Sequence, residues 1–256
     1  MIHQTAIIDP SARIASDVTI GPWTVIGPDV EIGEGTWVGP HVVIQGPTKI
    51  GKNNKIFQFS SLGEAPQDKK FQGEKTFLEI GDRNIIREFC TFNRGTAQDK
   101  AITRIGDDNL FMAYVHIAHD CVVGNHTIFA NNASIAGHVV VDDYVGLSGF
   151  SGVLQGCRVG KYSFASMGSM VDKDIPPFVK VSGYYAKPFG LNTVGMERRG
   201  FAADTILQLR RAYKTIYRKG LTIKDALQEL QTMLDTCPEV QMLIDFIQTS
   251  NRGIVR

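Results

Sequence analysis

Residues 8–62 read IDPSARIASDVTIGPWTVIGPDVEIGEGTWVGPHVVIQGPTKIGKNNKIFQFSSL and place an aliphatic side chain at every sixth position without a slip. The pattern returns at residues 80–92 and again at 105–171. Neither an α-helix nor an alternating strand keeps a strict period of six, whereas a coil of three short strands with a bend after each one does. The sequence therefore predicts a mainly β fold, a parallel β-helix in which three hexads complete each coil.

Two interruptions separate the blocks of hexads. They cover residues 63–79 and 93–104, where the six-residue period is lost. An insertion into a regular coil has to loop outward, so we expect both segments to form external loops. Loops on a rigid scaffold often carry binding residues, and a plain solvent-exposed loop is the alternative for each.

A different pattern begins after Pro176-Pro177, where the hexads stop. Tyr184–Asn192 has no regular period and is predicted to be an irregular linker. Apolar residues at helical spacing then predict three short helices, near 201–219, near 223–234 and from Pro238 onward. The predicted domains are a β-helix with two external loops over residues 1–187 and a small α-helical C-terminal domain over residues 188–256.

Composition excludes several functional classes. The chain has 27 Lys and Arg against 26 Asp and Glu, a net charge of +1, so bulk charge favours neither nucleic acid nor a membrane surface as a partner. The N-terminal region carries Asp9 and Arg13 where a signal peptide needs an apolar run, and no run of about 18 apolar residues occurs. We therefore expect a cytoplasmic protein with no integral membrane segment. Four cysteines without CxxC or disulfide-framework spacing are predicted to be free thiols: Cys90, Cys121, Cys157 and Cys237.

The densest polar cluster lies at residues 116–121 (HIAHDC), and residues 136–138 (AGH) follow almost one coil later. With three hexads per coil, His119, Gly137 and Gln155 are predicted to stack along one corner, about 4.8 Å apart. Histidine suits a general base near neutral pH, and a backbone N–H near Gly137 suits the oxyanion that develops in acyl transfer. His119 is therefore the predicted base. The alternative is that these histidines are solvent-exposed residues at a corner of the coil and have no function.

The chain also resembles a known family over almost its whole length. A hexapeptide repeat alone is a weak signal for function, but a specific set of motifs in a fixed order is a strong one. The resemblance is to the UDP-N-acetylglucosamine O-acyltransferases of the first step of lipid A biosynthesis, and hexapeptide coils of this kind are left-handed. The motifs that carry it are QDKK at 67–70, EIGDR at 79–83, HIAHDC at 116–121, ANNA at 130–133, AGH at 136–138, PFG at 188–190 and RRGF at 198–201.

The resemblance implies a reaction and a set of site residues. An (R)-3-hydroxyacyl group would pass from acyl carrier protein to the glucosamine 3-hydroxyl of UDP-N-acetylglucosamine, with no cofactor and no metal. His119 matches the catalytic base of the family. Positions that match substrate contacts are Asp68, Lys70, His116, His138 and Gln155, and those on the nucleotide side are Asn192, Arg198 and Arg199.

Two positions depart from the family pattern. Val194 stands where some members place an acid near the nucleotide, so that contact is either missing or made by another group. Met167 occupies the position where glycine leaves room for a longer acyl chain, so the resemblance predicts a shorter one; the alternative is that Met167 packs between coils. Register places Met167 and His119 on different corners. This agrees with the homotrimer of the family, in which sites lie between subunits.

Residues 197–219 carry seven basic side chains against two acidic ones, a local charge of +5. A solvated helical face is one interpretation of such a segment. Because acyl carrier proteins are strongly acidic, a docking surface that raises the encounter rate is the other. RNA is a poorer candidate, since no aromatic stacking platform accompanies the charge.

Three further functions stay open at this level. Hexapeptide-repeat carbonic anhydrases hold a metal with three histidines, for which His116, His119 and His138 are candidates. A non-catalytic solenoid would not need a histidine cluster beside a glycine column. The later N-acyltransferase of the same pathway usually carries an extra N-terminal domain, whereas hexads begin here at Ile8. Whether the acceptor is a hydroxyl or a 3-amino group is not decided by these residues.

Overall fold

The computed structural model describes residues 1–256. The first block of hexads forms ten short strands: β1 (Ile7–Ile8), β2 (Arg13–Ile14), β3 (Thr19–Ile20), β4 (Val25–Ile26), β5 (Val30–Ile32), β6 (Trp37–Val38), β7 (Val43–Ile44), β8 (Thr48–Ile50), β9 (Lys55–Ile56) and β10 (Ser61–Glu64). The second block forms β11 (Phe77–Ile80), β12 (Ile85–Ile86) and β13 (Thr91–Asn93).

The third block continues the coil to its end. Its strands are β14 (Ile102–Ile105), β15 (Leu110–Phe111), β16 (His116–Ile117), β17 (Val122–Val123), β18 (Ile128–Phe129), β19 (Ser134–Ile135), β20 (Val140–Val141), β21 (Gly146–Leu147), β22 (Gly152–Val153), β23 (Arg158–Val159), β24 (Phe164–Ala165) and β25 (Met170–Val171). Two longer strands follow the last hexad: β26 (Val179–Ser182) and β27 (Lys187–Leu191).

Three sheets form the faces of the coil. The first sheet takes every third strand from β1 to β25, the second every third strand from β2 to β23, and the third runs from β3 to β24 and adds β26 and β27. Strands one coil apart pair in parallel, with Ile7 opposite Val25 and His116 opposite Ser134, so each step along a sheet spans three hexads. The predicted parallel coil of three hexads is therefore confirmed.

The sixth-position side chains fill the interior, as predicted. Ile20, Ile44 and Leu147 are buried. Inside the coil, the ring of Phe111 contacts that of Phe92 edge-on at a centroid distance of 5.0 Å and that of Phe129 at 5.1 Å. Full burial of one such side chain stabilises a fold by about 1.5–3 kcal/mol, so a continuous column of them holds the coil together.

Both predicted external loops leave the coil at the corner between the first and second sheets. We call residues 63–79 the first excursion and residues 93–104 the second excursion. Ser61 pairs with Thr91 instead of with position 79, so the first excursion lengthens its coil by two hexads between β10 and β11. Thr91 pairs with His116 instead of with position 109, so the second lengthens its coil by slightly more than one hexad between β13 and β14. The unpaired loops are shorter than predicted, because the ends of both segments continue the strands.

The segment after the coil differs from its prediction. Tyr184–Asn192 is not irregular throughout, because β27 within it pairs antiparallel with β26. Four helices follow instead of three, and the extra one is a six-residue helix capped by the Asn192 side chain, which accepts a hydrogen bond from the Gly195 N–H. The helices are α1 (Thr193–Arg198), α2 (Ala203–Tyr217), α3 (Ile223–Gln231) and α4 (Val240–Gln248).

The C-terminal residues return to the last coil. The Val255 N–H donates to the Asp174 carbonyl at 2.9 Å, and the Ser250 hydroxyl donates to the Asp174 carboxylate at 2.7 Å. The division of the chain between residues 187 and 188 stays a prediction. None of the four helices combines the length and the apolarity that crossing a bilayer requires.

The prediction of free thiols is confirmed, since all four cysteines are unpaired and buried. Burial raises the pKa of Cys90 and Cys121 to about 12 and that of Cys157 and Cys237 to about 11. The thiolate is the reactive form, so we expect almost no reaction of the native protein with dithionitrobenzoate near neutral pH. Unfolding in guanidinium should release four equivalents of the coloured thiolate. Rapid reaction of one thiol in the native protein would contradict this expectation.

Candidate active site

A groove lies on the outer face of the first sheet, beside the corner from which the two excursions leave. Its volume is about 910 Å³. Four of the predicted site residues line it: His116, His119, Gly137 and Gln155. We call it the His119 groove.

His119 and Asp120 form a buried pair at this corner. The His119 Nδ1 lies 2.9 Å from the Asp120 Oδ2, and the exposed fractions are 8% for His119 and 0% for Asp120. The Nε2 of His119 makes no hydrogen bond within the chain. A carboxylate that accepts a hydrogen bond from the Nδ1–H fixes the ring tautomer and leaves Nε2 as the basic atom, as a general base requires.

The second excursion anchors the carboxylate of Asp120. The Thr96 N–H donates to both carboxylate oxygens at 3.0 Å, and the Thr96 hydroxyl donates to Oδ2 at 2.6 Å. The Asp120 N–H in turn donates to the Thr103 hydroxyl at 2.8 Å. The N–H and the hydroxyl of Thr96 hold the Asp120 carboxylate in one position and compensate the energetic cost of its burial.

Gly137 lies directly against the His119 ring. A β-carbon added at Gly137 would come within 2.5 Å of the His119 Cε1 and 2.7 Å of its Nε2, so only glycine permits this approach. The Gly137 N–H makes no hydrogen bond within the chain. The predicted stack of residues 119 and 137 is confirmed, because the His138 N–H donates to the His119 carbonyl at 3.0 Å.

The two other histidines of the cluster have different environments. Burial, with a smaller contribution from the charge of His119, lowers the pKa of His116, whose Nδ1 lies 2.8 Å from the Thr91 hydroxyl. His116 is therefore neutral near neutral pH. The His138 Nδ1 lies 2.8 Å from the Asp99 Oδ2, and its ring meets the His119 ring edge-on at 5.0 Å.

A second cavity lies on the outer face of the third sheet and has a volume of about 660 Å³. It contains Asn192, Arg198 and Arg199, so the structure brings together the three residues predicted for the nucleotide. We call it the Arg198 pocket. The Arg199 guanidinium lies 4.7 Å above the ring of Tyr144, in a stack with His126 and Tyr162 that sequence reasoning missed.

Comparisons with known proteins show to which family the chain belongs. A family model described as UDP-N-acetylglucosamine O-acyltransferase, domain 2, matches residues 174–255, and a bacterial transferase hexapeptide model matches residues 29–56 and 102–137. An acyl-[acyl-carrier-protein]–UDP-N-acetylglucosamine O-acyltransferase of Thiobacillus denitrificans is 60% identical over 255 residues, which cover 100% of this chain and 99% of the relative. The chain belongs to that family.

Solved structures of the family superimpose closely on the chain. The LpxA structure of Acinetobacter baumannii has a TM-score of 0.97 at 53% identity and covers 100% of this chain and 99% of its own. The acyltransferase of Arabidopsis has a TM-score of 0.88 at 34% identity, with 100% of both chains covered. The left-handed parallel β-helix with C-terminal helices is thereby confirmed, and the protein is an acyltransferase.

Other predicted residues of this acyltransferase lie outside both cavities. Asp68 and Lys70 belong to the first excursion, where the Lys70 N–H donates to the Asp68 carboxylate at 3.0 Å, and their neighbour Gln67 is the residue that reaches the His119 groove. Met167 is 72% exposed at the corner between the third and first sheets. It therefore lies on a different corner from His119, as predicted.

The basic segment does not form one patch in the folded enzyme. Arg198 and Arg199 belong to the Arg198 pocket, whereas Arg210, Lys214 and Arg218 project from one side of α2 around a small cavity with Tyr213. Lys219 pairs with Glu229, and Arg211 donates to Gln208. The remaining cationic group is therefore formed by Arg210 and Lys214 of α2 and by Arg218 directly after it, which line this cavity together.

Sequence reasoning on this acyltransferase assigned no role to Asp120. Neighbouring side chains in an extended strand point to opposite faces, so adjacency in sequence did not predict the contact with His119. Asp120 has a φ of 59°, the left-handed conformation found at many corners of this coil, and this turns its carboxylate back toward the ring. The available signal was a His-Asp pair at a corner position.

The structure also modifies the metal-site alternative. The side chains whose ligand atoms all lie within 4.8 Å of one another are His119, Asp120 and His138. His116 is not in this group, because its ring faces Thr91. The set of three histidines considered from the sequence is therefore not the set that the fold assembles.

Proposed function

We propose that this acyltransferase moves an (R)-3-hydroxyacyl group from acyl carrier protein to the 3-position of the glucosamine in UDP-N-acetylglucosamine, the first step of lipid A biosynthesis. The family membership supports the substrates. The observation that carries the chemistry is the buried Asp120–His119 pair, whose free Nε2 lies against Gly137 at the edge of an open groove.

His119 acts as the general base. Its Nε2 takes the proton of the sugar hydroxyl as the oxygen attacks the thioester carbonyl, and Asp120 stabilises the imidazolium that forms. The tetrahedral intermediate then expels the carrier's thiolate. With an ordinary thiol pKa of about 8.5, this leaving group departs without a strong acid, so the reaction needs neither metal nor cofactor.

The Gly137 N–H stabilises the oxyanion of the tetrahedral intermediate. It is adjacent to the base and unpaired within the chain, which are the two properties that a preorganised donor needs. His116 and Gln155 contact the acceptor and acyl groups along the groove, and His138 contacts them from beside the His119 ring. From the first excursion, the Asp68 carboxylate binds the acyl hydroxyl and the Lys70 ammonium binds a phosphate or sugar oxygen.

The complete site lies between subunits of a homotrimer. The His119 groove and the Arg198 pocket occupy faces formed by different sheets, so one subunit does not offer both to a single nucleotide sugar. The corner between these faces carries an exposed column of stacked rings that suits packing against another subunit: Trp23, His41, Phe59, Phe89 and Tyr114. A fully active monomer would contradict this arrangement.

In the Arg198 pocket, Asn192, Arg198 and Arg199 bind the nucleotide. Guanidinium groups donate in pairs to diphosphate oxygens, and the half-buried ring stack of His126, Tyr144 and Tyr162 beside them offers flat surfaces to the uracil and ribose. Val194 lines the same pocket and contributes no acid. The cationic group on α2, formed by Arg210, Lys214 and Arg218, attracts the acidic carrier protein.

The direct test is acyl transfer by the purified protein from a panel of 3-hydroxyacyl carrier proteins. UDP-N-acetylglucosamine and its 3-amino analogue are the two acceptors, and we expect an ester at the sugar 3-position as the main product. Preferred formation of an amide would change the acceptor while leaving the enzyme class intact. Absence of transfer to either acceptor, with metal bound to the purified protein, would instead favour a metal-dependent hydratase.

Met167→Gly is expected to shift the preferred acyl chain to greater length. In the proposed trimer, the exposed Met167 side chain faces the His119 groove of the neighbouring subunit, so its removal lengthens the space for the hydrocarbon. Each methylene that fits a hydrophobic pocket changes specificity by about tenfold or more. We expect the ratio of kcat/KM for longer over shorter chains to rise by about tenfold or more. Met167→Leu, which keeps the bulk, is the control. An unchanged profile for the glycine variant would show that Met167 does not limit the chain.

A further inference from the structure

The tip of the second excursion folds back onto the histidine cluster. Asp99 and His138 are 39 positions apart in sequence, yet the Asp99 Oδ2 lies 2.8 Å from the His138 Nδ1. The exposed fractions of the two side chains are 34% and 29%, so the pair is partly shielded from water. This contact lies outside the reaction derived above, which uses the corner of the coil and not the tip of the loop.

The loop that carries Asp99 is itself anchored at the reaction centre. Its Thr96 holds the Asp120 carboxylate through the N–H and the hydroxyl. Within the loop, the Asp99 and Ala101 N–H groups donate to the Thr96 carbonyl at 3.3 and 3.0 Å. A compact turn thus fixes the position of Asp99 relative to the pair that Thr96 supports.

We propose that Asp99 is a positioning residue that fixes the ring of His138 and thereby presents its Nε2 to the substrate. An ionised carboxylate only accepts hydrogen bonds, so the Nδ1 beside it carries the proton. The opposite edge of the ring then faces the reaction centre, where the His138 Nε2 lies 4.0 Å from the Asp120 Oδ2. A carboxylate that orients a histidine through its second nitrogen is a recurrent way of setting the ring's functional edge.

The group that His138 meets is a hydroxyl, either of the sugar or of the acyl chain. The His138 ring is edge-on to His119 at 5.0 Å, close enough for both to contact one bound substrate. Without Asp99, the ring can flip or rotate toward solvent, because no other side chain binds its Nδ1. The identity of the substrate in this inference rests on the proposed function. The orientation of the His138 ring does not depend on it, because it follows from the contact with Asp99.

The experiment is a double-mutant cycle on the purified enzyme with Asp99→Ala, His138→Ala and the double variant. Asp99→Ala is expected to lower kcat/KM by about tenfold, the lower end for loss of an orienting partner. In the His138→Ala background, the same change should have no further effect. Lys100→Ala is the matched control, because Lys100 is exposed on the same turn and makes no hydrogen bond or ion pair.

Two kinetic results would overturn the proposal. One is wild-type kcat/KM in Asp99→Ala, and the other is an equal loss from Asp99→Ala with and without His138, which would mean that the loop acts independently of that ring. A second measurement does not need substrate. In protein labelled with ¹⁵N-histidine, the hydrogen-bonded Nδ1–H signal of His138 should be present in the wild type and in Lys100→Ala and lost in Asp99→Ala. Its persistence in Asp99→Ala would also refute the proposal, whatever reaction the enzyme catalyses.

Discussion

Replacing His119 by alanine is expected to lower kcat about a thousandfold, within the range for loss of a general base. The substrate still binds, because the groove and the Arg198 pocket keep their other residues, so KM should change by much less. The physical reason is that no other side chain offers a free imidazole nitrogen against Gly137. Steady-state kinetics of acyl transfer, with product measured by mass spectrometry, checks both parameters.

The control for His119→Ala is His3→Ala, which removes an exposed histidine far along the chain from the corner. We expect wild-type turnover from this variant. Thermal unfolding and sedimentation of both proteins exclude loss of fold or assembly as the cause. Near-normal turnover of a correctly folded His119→Ala enzyme would remove His119 from the mechanism.

Asp120→Asn is expected to lower kcat by about a hundredfold or more, by analogy with the loss of an orienting carboxylate in other His-Asp pairs. The amide has nearly the same shape, so the contacts of Thr96 with the side-chain oxygen are partly kept. An amide N–H facing Nδ1 would move the imidazole proton to Nε2, and an imidazole protonated there does not accept the sugar proton. The change therefore inactivates the base without removing it.

The measurement is kcat over a pH series, combined with the midpoint of urea unfolding. Asp142→Asn is the matched control, because Asp142 is a partly buried aspartate on another face of the coil. We expect near-normal activity for the control. If Asp120→Asn lost stability but kept turnover, Asp120 would serve only to hold the second excursion through Thr96.

The architecture of this enzyme could be predicted because the coil repeats one local rule. A side chain at every sixth position must reach the interior, and a single slip would expose the whole row, so the period is visible in residues 8–62. The stack of His119 and Gly137 followed from the same arithmetic. Met167 was placed on a separate corner for the same reason.

The rule fails where residues are inserted or the hexads stop. The strand β27 was missed because it pairs with β26 and not with a strand one coil away, so the six-residue period does not predict it. The helix α1 was missed because six residues are too few for an amphipathic pattern, and its start depends on the Asn192 cap. Pairing and capping decided both elements.

The sequence by itself determined the coil, the corner on which the histidines lie and the family, because each of these depends on residues read at a fixed spacing. Only the tertiary structure decided which side chains support them. Asp120 reaches His119 because its own backbone takes the left-handed conformation at the corner. From an inserted loop, Thr96 contacts Asp120 and Asp99 contacts His138. The shape of an inserted loop is set by packing and by hydrogen bonds to distant residues, and no repeat in the sequence encodes these contacts.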